Sequence, residues 1–242
     1  MAHVTQINDE DVEVIASGRA LLFDMDGTLV DSTSIVETLW HEFAAAHGLV
    51  AQDVISFAHG RQTAETMSKF LPNASQRKIQ ELAAAFTDTE ITRTDDVIEV
   101  PGAYEMLSSL AEMGAPYALV TSASAALAHS RMRAAGLPLP PVIVTKEDVR
   151  NSKPDPEGYF LAASLLGIDP RDAIVFEDSV AGIEAGKRSG ATVVTIGARS
   201  TDHYPSLRDY RRARVRAYAS FESAIRRHPA ANDITISVTR EA

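Results

Sequence analysis

The 242-residue chain predicts an α/β fold: a doubly wound, Rossmann-like parallel sheet carrying an inserted all-helical block. Three observations predict it. Five short apolar runs lack the alternation of a half-exposed strand, as strands buried on both faces do. Amphipathic helical patterns lie between them, the order expected of a parallel sheet. After the first run, positions 34–95 show helical periodicity and no convincing strand.

The elements follow in order. The stretch Met1–Gly18 carries acids but neither the basic start nor the long apolar core of a secretory signal. Ala20–Phe23 is wholly apolar and stops abruptly at Asp24. Within the block, Val36, Leu39, Trp40 and Phe43 obey the i, i+3, i+4, i+7 rule, and Ile79, Leu82, Ala83 and Phe86 repeat it. So long a helical stretch exceeds any ordinary loop. The expected division is therefore a core of residues 1–33 and 96–242, with 34–95 as a helical cap.

Beyond the cap, Pro101-Gly102 opens a helix with Ala103, Leu107, Leu110 and Ala111 on one face, leading into the run Tyr117–Val120. Val142–Val144 is the next strand. Pro156 opens a helix with Phe160, Ala163 and Leu166 on its inner side, stopped by Gly167. Ala173–Phe176 follows, then a helix capped by Ser179 and ended at Gly190, then the strand Thr192–Ile196. In the tail, Val215–Ser220 reads as a further strand and Ile234–Val238 as an edge strand.

Composition narrows the function. With 45% hydrophobic and 23% charged residues the chain is globular rather than disordered. Its net charge of −10 argues against a nucleic-acid or anionic-membrane surface. The basic run Arg208, Arg211, Arg212, Arg214 and Arg216 then reads as a solvated face. No cysteine is present, which excludes disulfides, thiolate metal sites and cysteine nucleophiles. No apolar run suits a membrane span. A cytoplasmic monomer acting on a small molecule is expected, with no nucleic-acid or membrane partner.

In open parallel sheets the working residues gather at the carboxyl ends of the strands. Here those ends read Asp24-Met25-Asp26-Gly27-Thr28, Thr121-Ser122 and Glu177-Asp178-Ser179, with Ser152-Lys153-Pro154-Asp155-Pro156 after the third run. Carboxylates brought so close repel by several kcal/mol at moderate dielectric. A hard divalent cation with oxygen ligands, such as Mg²⁺, offsets that repulsion and accepts substrate phosphate as a further ligand. A free carboxylate with a second two residues on makes a nucleophile and an acid/base pair. Lysine and hydroxyls supply donors to phosphoryl oxygens. The constellation describes phosphoryl transfer through an aspartyl-phosphate. By contrast, Gly182–Lys187 only superficially resembles a nucleotide-binding loop: it is one residue short, and Arg188 stands where Ser or Thr belongs.

Asp24-Met25-Asp26-Gly27-Thr28, Thr121-Ser122, Lys153-Pro154 and Glu177-Asp178 resemble, in order and spacing, the four motifs of the haloacid dehalogenase superfamily. The phrase Val175–Ile183 is similar to the β-phosphoglucomutase and sugar-phosphatase branch. The resemblance spans roughly Leu21 to Ile196. It implies that Asp24 is the nucleophile, and that Asp26 protonates the leaving group and later activates water. It further implies that Thr121, Ser122 and Lys153 bind the phosphoryl group. Mg²⁺ is then held by Asp24, by the Asp26 carbonyl and by Asp178, with Glu177 a further ligand or a residue behind the ligands. His59 and Arg61 of the cap are candidate contacts to the rest of the substrate.

The resemblance also implies which reaction is run. Dehalogenases of this superfamily lack the second aspartate, whereas Asp26 is present. Its β-phosphoglucomutases carry a histidine ten residues beyond that aspartate, where this chain has Val36. Its phosphonatases need a lysine early in the cap, and none precedes Lys69. The segments Ile55–Gly60, with Thr63 and Lys69-Phe70, and Glu99–Ala103 look similar to glycerol-phosphate and 2-deoxyglucose-6-phosphate phosphatases. Those place an arginine one position beyond Arg61, which is about 100° around a helix if the segment is helical. The expected activity is Mg²⁺-dependent hydrolysis of a small phosphorylated sugar or polyol. The alternatives are a sugar-phosphate mutase and a catalytically silent metabolite-binding module.

Overall fold

A computed structural model describes residues 12–59, 61–197, 204–219 and 232–239. Its centre is a six-stranded sheet in which every neighbouring pair is parallel. The strands are β2 (Ala20–Phe23), β5 (Tyr117–Val120), β6 (Val142–Val144), β7 (Ala173–Glu177), β8 (Thr192–Ile196) and β9 (Ser206–Leu207), in the spatial order β6-β5-β2-β7-β8-β9. All residues of β2, β5 and β7 are buried, which is why these runs read as continuous apolar stretches. Phe23 and Phe176 stack across the β2–β7 pair with ring centroids 4.8 Å apart.

Between β2 and β5 the chain makes four helices: α1 (Thr33–His47), α2 (Ala51–Ala58), α3 (Thr63–Phe70) and α4 (Gln76–Thr92). They enclose an apolar cluster of their own, built on Leu39, Trp40, Phe43, Ile79, Ala83 and Phe86. The periodicity of both helical patterns therefore reports real packing. The chain leaves the core through β3 (Val30–Asp31) and returns through β4 (Ile98–Glu99), and these two pair antiparallel. Both connections to the helical insert are thus held side by side at the mouth of the sheet.

Four further helices pack on the core: α5 (Ala103–Glu112), α6 (Ala125–Ala134), α7 (Glu157–Leu165) and α8 (Val180–Ser189). Ser179 caps α8 by accepting from the Gly182 N–H at 3.0 Å, and Gly190 ends it at a φ of 85°. Two helix faces differ from expectation. In α5 the buried set is Ala103, Met106, Leu107 and Leu110, and Ala111 is exposed. In α7 it is Tyr159, Ala162 and Ala163, while Phe160 is exposed. Tyr159 rather than Phe160 points inward, where its hydroxyl donates to Glu177 Oε1 at 2.8 Å.

The ends of the chain build a second sheet. Strands β1 (Val12–Gly18), β10 (Ala213–Ala219) and β11 (Asn232–Thr239) are antiparallel in the order β1-β11-β10. Two corrections follow. β1 was not anticipated, because its sequence carries only a weak alternation. β11 is the central strand of its sheet, not an edge: Ile234 and Ile236 are fully buried in the main core cluster. Ser220, the last residue of the strand expected there, lies outside the described residues, as do Gly60, His3, His203 and His228. Among the described residues no helix is long and apolar enough to cross a membrane.

Candidate active site

Strand register assembles the site. β2 is flanked by β5 and β7, and Phe23 pairs with Leu119 on one side and Phe176 on the other. The residues just past these strands must therefore emerge together. Asp24 is fixed by its N–H donating to the Phe176 carbonyl at 3.0 Å, and Thr121 by its N–H donating to the Val144 carbonyl at 2.9 Å. Glu177 ends β7 and Asp178 follows it.

Carboxylate oxygens of Asp24, Glu177 and Asp178 all lie within 4.8 Å of one another. The Lys153 ammonium, buried behind them, donates to Asp24 Oδ1 at 2.5 Å, to Glu177 Oε1 at 2.7 Å and to the Val120 carbonyl at 3.1 Å. Glu177 is completely buried, and both its oxygens are taken. Oε1 also accepts from the Tyr159 hydroxyl at 2.8 Å. Oε2 accepts from the N–H groups of Asp178 and Ser179 and from the Ser179 hydroxyl, at 3.1 to 3.2 Å. Glu177 is therefore an anchor for Lys153 and for the start of α8, and its oxygens are spent on protein donors.

One ammonium does not balance three carboxylates. Burial, reinforced by Glu177, raises the Asp24 carboxyl well above the usual range even though Lys153 pulls it down. Burial and Glu177 likewise push Asp178 up to about 7. Burial disfavours the Lys153 charge, but Asp24 and Glu177 outweigh it and hold the lysine protonated. Such a surplus of hard oxygen donors fits a divalent cation beside Asp24 and Asp178, which would restore both to the ionised form. Gly27 makes room for this arrangement. It adopts a φ of 79°, and a Cβ there would fall 2.2 Å from Asp178 Oδ2.

The Asp26 carboxylate stands apart from that group. Its Oδ1 accepts from the Ser32 hydroxyl and its Oδ2 from Arg131, each at 2.7 Å. A cavity of 130 Å³ opens over these residues. Asp24, Asp26, Thr121, Ser122 and Asp178 line it from the core, and Val36, Trp40, His59 and Arg61 from the helical insert. The structure thus brings every sequence-predicted residue to one place, with Lys153 directly behind Asp24. His59, Arg61 and Gln62, between α2 and α3, are not helical, so the one-residue displacement of Arg61 carries no 100° penalty. Arg61 pairs with Glu65, which also accepts from the Ser152 hydroxyl of the core at 2.7 Å. Glu147 and Asp148, just past β6, stay out of the site: Asp148 accepts from the Thr145 N–H and hydroxyl, and Glu147 from the Ala125 N–H at the start of α6.

Sequence reasoning missed Ser32, Glu90, Arg131, Tyr159 and Gly182. Gly182 is decisive locally, since a Cβ there would sit 1.7 Å from Glu177 Oε1. A glycine in the first turn of a helix next to an acidic strand end was the available signal. Arg131 had none, because a basic residue in the last turn of a helix ordinarily faces solvent beside the helix dipole.

Comparison with known proteins agrees with this geometry. The profile of the haloacid dehalogenase-like hydrolases matches residues 21–196. Hexitol phosphatase A of Escherichia coli (strain K12) is 42% identical over 183 residues, covering 74% of this chain and 83% of that protein. A 2-deoxyglucose-6-phosphate phosphatase of Saccharomyces cerevisiae is 35% identical over 197 residues, covering 74% and 79%. Among solved structures, a hydrolase from Pseudomonas syringae superposes with a TM-score of 0.68 at 25% identity, covering 76% of this chain and 87% of that one. A β-phosphoglucomutase from Clostridium difficile shares the fold, with a TM-score of 0.71 at 20% identity over 79% and 91% of the two chains.

Proposed function

Since this chain belongs to the haloacid dehalogenase-like hydrolases, we propose that it is an Mg²⁺-dependent phosphatase of a small phosphorylated sugar or polyol. The observation that carries the reading is the buried Lys153–Asp24 contact of 2.5 Å within a group of three carboxylates. Relatives named for hexitol, 2-deoxyglucose-6-phosphate and glycerol-1-phosphate substrates support the substrate class. So does the cavity of 130 Å³ over Asp24 and Asp26, whose lining includes the polar groups of Ser32, Thr33, Thr63, Thr121 and Ser122.

In this reading Asp24 attacks phosphorus in line with the ester oxygen. The Oδ–P bond forms as the P–O bond to the alcohol breaks, and the departing alkoxide takes its proton from Asp26. Water then attacks the aspartyl-phosphate, giving its proton to Asp26, releasing inorganic phosphate and restoring Asp24. Lys153 holds Asp24 in place and neutralises charge beside it, and the Thr121 hydroxyl and Ser122 receive phosphoryl oxygens. Asp24, the Asp26 carbonyl and Asp178 would hold Mg²⁺. When bound, Mg²⁺ supplies charge stabilisation to the phosphoryl oxygens. Helices of segment 34–95, read as a cap, exclude water and let His59 and Arg61 meet the alcohol portion.

The mutase reading is disfavoured by Val36, which faces the cavity as a hydrocarbon and offers no second base there. Inorganic phosphate release tests the proposal. The panel comprises glycerol phosphates, hexitol phosphates, and hexose and deoxyhexose 6-phosphates, each with Mg²⁺ and with chelator. Release from one or more polyol or sugar phosphates, lost on chelation, is expected. Isomerisation without phosphate release would establish the mutase, and binding without turnover the silent module.

A further inference from the structure

Arg131 is 3% exposed although it sits in the last turn of α6. One terminal nitrogen donates to Asp26 Oδ2 at 2.7 Å and the other to Glu90 Oε1 of α4 at 2.6 Å. Its Nε is buried and has no hydrogen-bond partner. The orientation of the guanidinium is therefore set by the two carboxylates, not by satisfying all of its own donors. Next to it, the Ser130 hydroxyl donates to the Ile91 carbonyl at 2.9 Å, so α6 and α4 meet at two consecutive residues. Glu90 is itself buried. Burial raises its carboxyl while Arg131 opposes the rise.

These contacts form a chain from the helical insert to the reacting centre. Asp26 is held by two donors, Ser32 on one oxygen and Arg131 on the other. Arg131 is gripped by Glu90 of α4, so its hold depends on where the insert sits, while Ser32 lies just before α1. A planar fork fixes the direction of each of its two hydrogen bonds, one to each carboxylate, whereas an ammonium is a point charge on a flexible stem. An ion pair serving packing alone would need Glu90 but not Asp26.

We propose that Arg131 is a positioning residue for Asp26, and that Glu90 makes this positioning conditional on the helical insert being seated on the core. The proposal rests on the reading of Asp26 as the acid that protonates the leaving group. With the insert seated, the Glu90–Arg131 pair turns the Asp26 carboxyl to its working direction. With the insert displaced, Arg131 loses one anchor and Asp26 loses a defined orientation.

The test compares kcat/KM for two esters, because this ratio reads only the steps through departure of the first product. One is the alkyl phosphate that the wild type hydrolyses best, whose alkoxide needs a proton. The other is p-nitrophenyl phosphate, whose phenolate leaves without one. In Arg131→Gln, kcat/KM for the alkyl ester is expected to fall about 100-fold, and for the aryl ester by about tenfold less. Glu90→Gln should show the same split at about a tenth of the size. Parallel losses on both esters in a folded variant, or no loss on the alkyl ester, would overturn the proposal. If Arg131→Gln does not fold, Arg131→Lys and Glu90→Gln read the same split. Inactivity of the wild type on every ester would instead overturn the phosphatase reading, and the proposal with it.

Discussion

Lys153 and Glu177 are joined by a 2.7 Å hydrogen bond inside the protein, and Glu177 has no exposed surface at all. The lysine that touches Asp24 is thus positioned by a carboxylate whose every other partner is structural: Tyr159, Ser179 and two backbone N–H groups. Glu177→Gln should then damage site and fold together. It removes the charge that anchors Lys153 and turns an amide N–H₂ toward groups that themselves donate. A stability loss of about 3 kcal/mol is expected, with phosphate release falling well beyond what that loss explains. Denaturant titration and an activity assay on the folded fraction check it. A variant of wild-type stability and activity would remove Glu177 from the anchor role.

Asp24→Asn should separate the two effects. Phosphate release is expected to fall at least about 10⁴-fold, because the attacking carboxylate is gone. The melting temperature should stay level or rise, since burial and neighbouring acids already oppose a charge at Asp24. Retained turnover would contradict the nucleophile assignment.

The raised Asp178 carboxyl makes the metal-free protein sensitive to pH. Its folded-state value of about 7 lies above the unfolded 3.8, so the folded protein binds the extra proton between these limits. Stability of the chelated protein should therefore fall as pH rises from about 4 to 7 and level off above, by a few kcal/mol at most. Added Mg²⁺ competes with that proton, so its stabilising effect should be large at pH 8 and small at pH 5. Thermal melts with chelator and with Mg²⁺ across that range provide the check. Equal Mg²⁺ shifts at both ends would contradict it.

Ile236 anchors the terminal sheet to the main core and is fully buried. Ile236→Ala should cost about 3 kcal/mol through lost burial and the cavity left behind. Chemical denaturation measures this. A cost under about 1 kcal/mol would mean that the three-stranded sheet contributes little to the fold.

Much of this site is legible in the sequence. A strand buried on both faces must be a continuous apolar run, so Ala20–Phe23, Tyr117–Val120 and Ala173–Phe176 announce themselves, and the residues that stop them (Asp24, Thr121 and Glu177) lie where parallel sheets work. Cap helices show through the 3.6-residue period of Leu39, Trp40 and Phe43. β1 stayed hidden because it gains its partner only when Asn232–Thr239 returns from the other end of the chain, and no local pattern carries that pairing. In helix α7 the spacing of Phe160, Ala163 and Leu166 points to one face, but Phe160 is exposed and Tyr159 is buried instead. Packing against the sheet favoured the face with two alanines.

The sequence alone determined the groups on offer: two aspartates two residues apart, a lysine and an acidic pair, each tied to a strand end or a helix start by short-range constraints. Tertiary structure decided which oxygens remain free for a cation. Glu177 and Asp178 are neighbours in sequence, yet one is enclosed by five donor contacts and the other faces the cavity. It also decided that Arg131, by its position an ordinary surface cation, lies between Glu90 and Asp26. The partners of a side chain are set by which elements pack around it, and those elements are separated by 41 and 105 residues of chain.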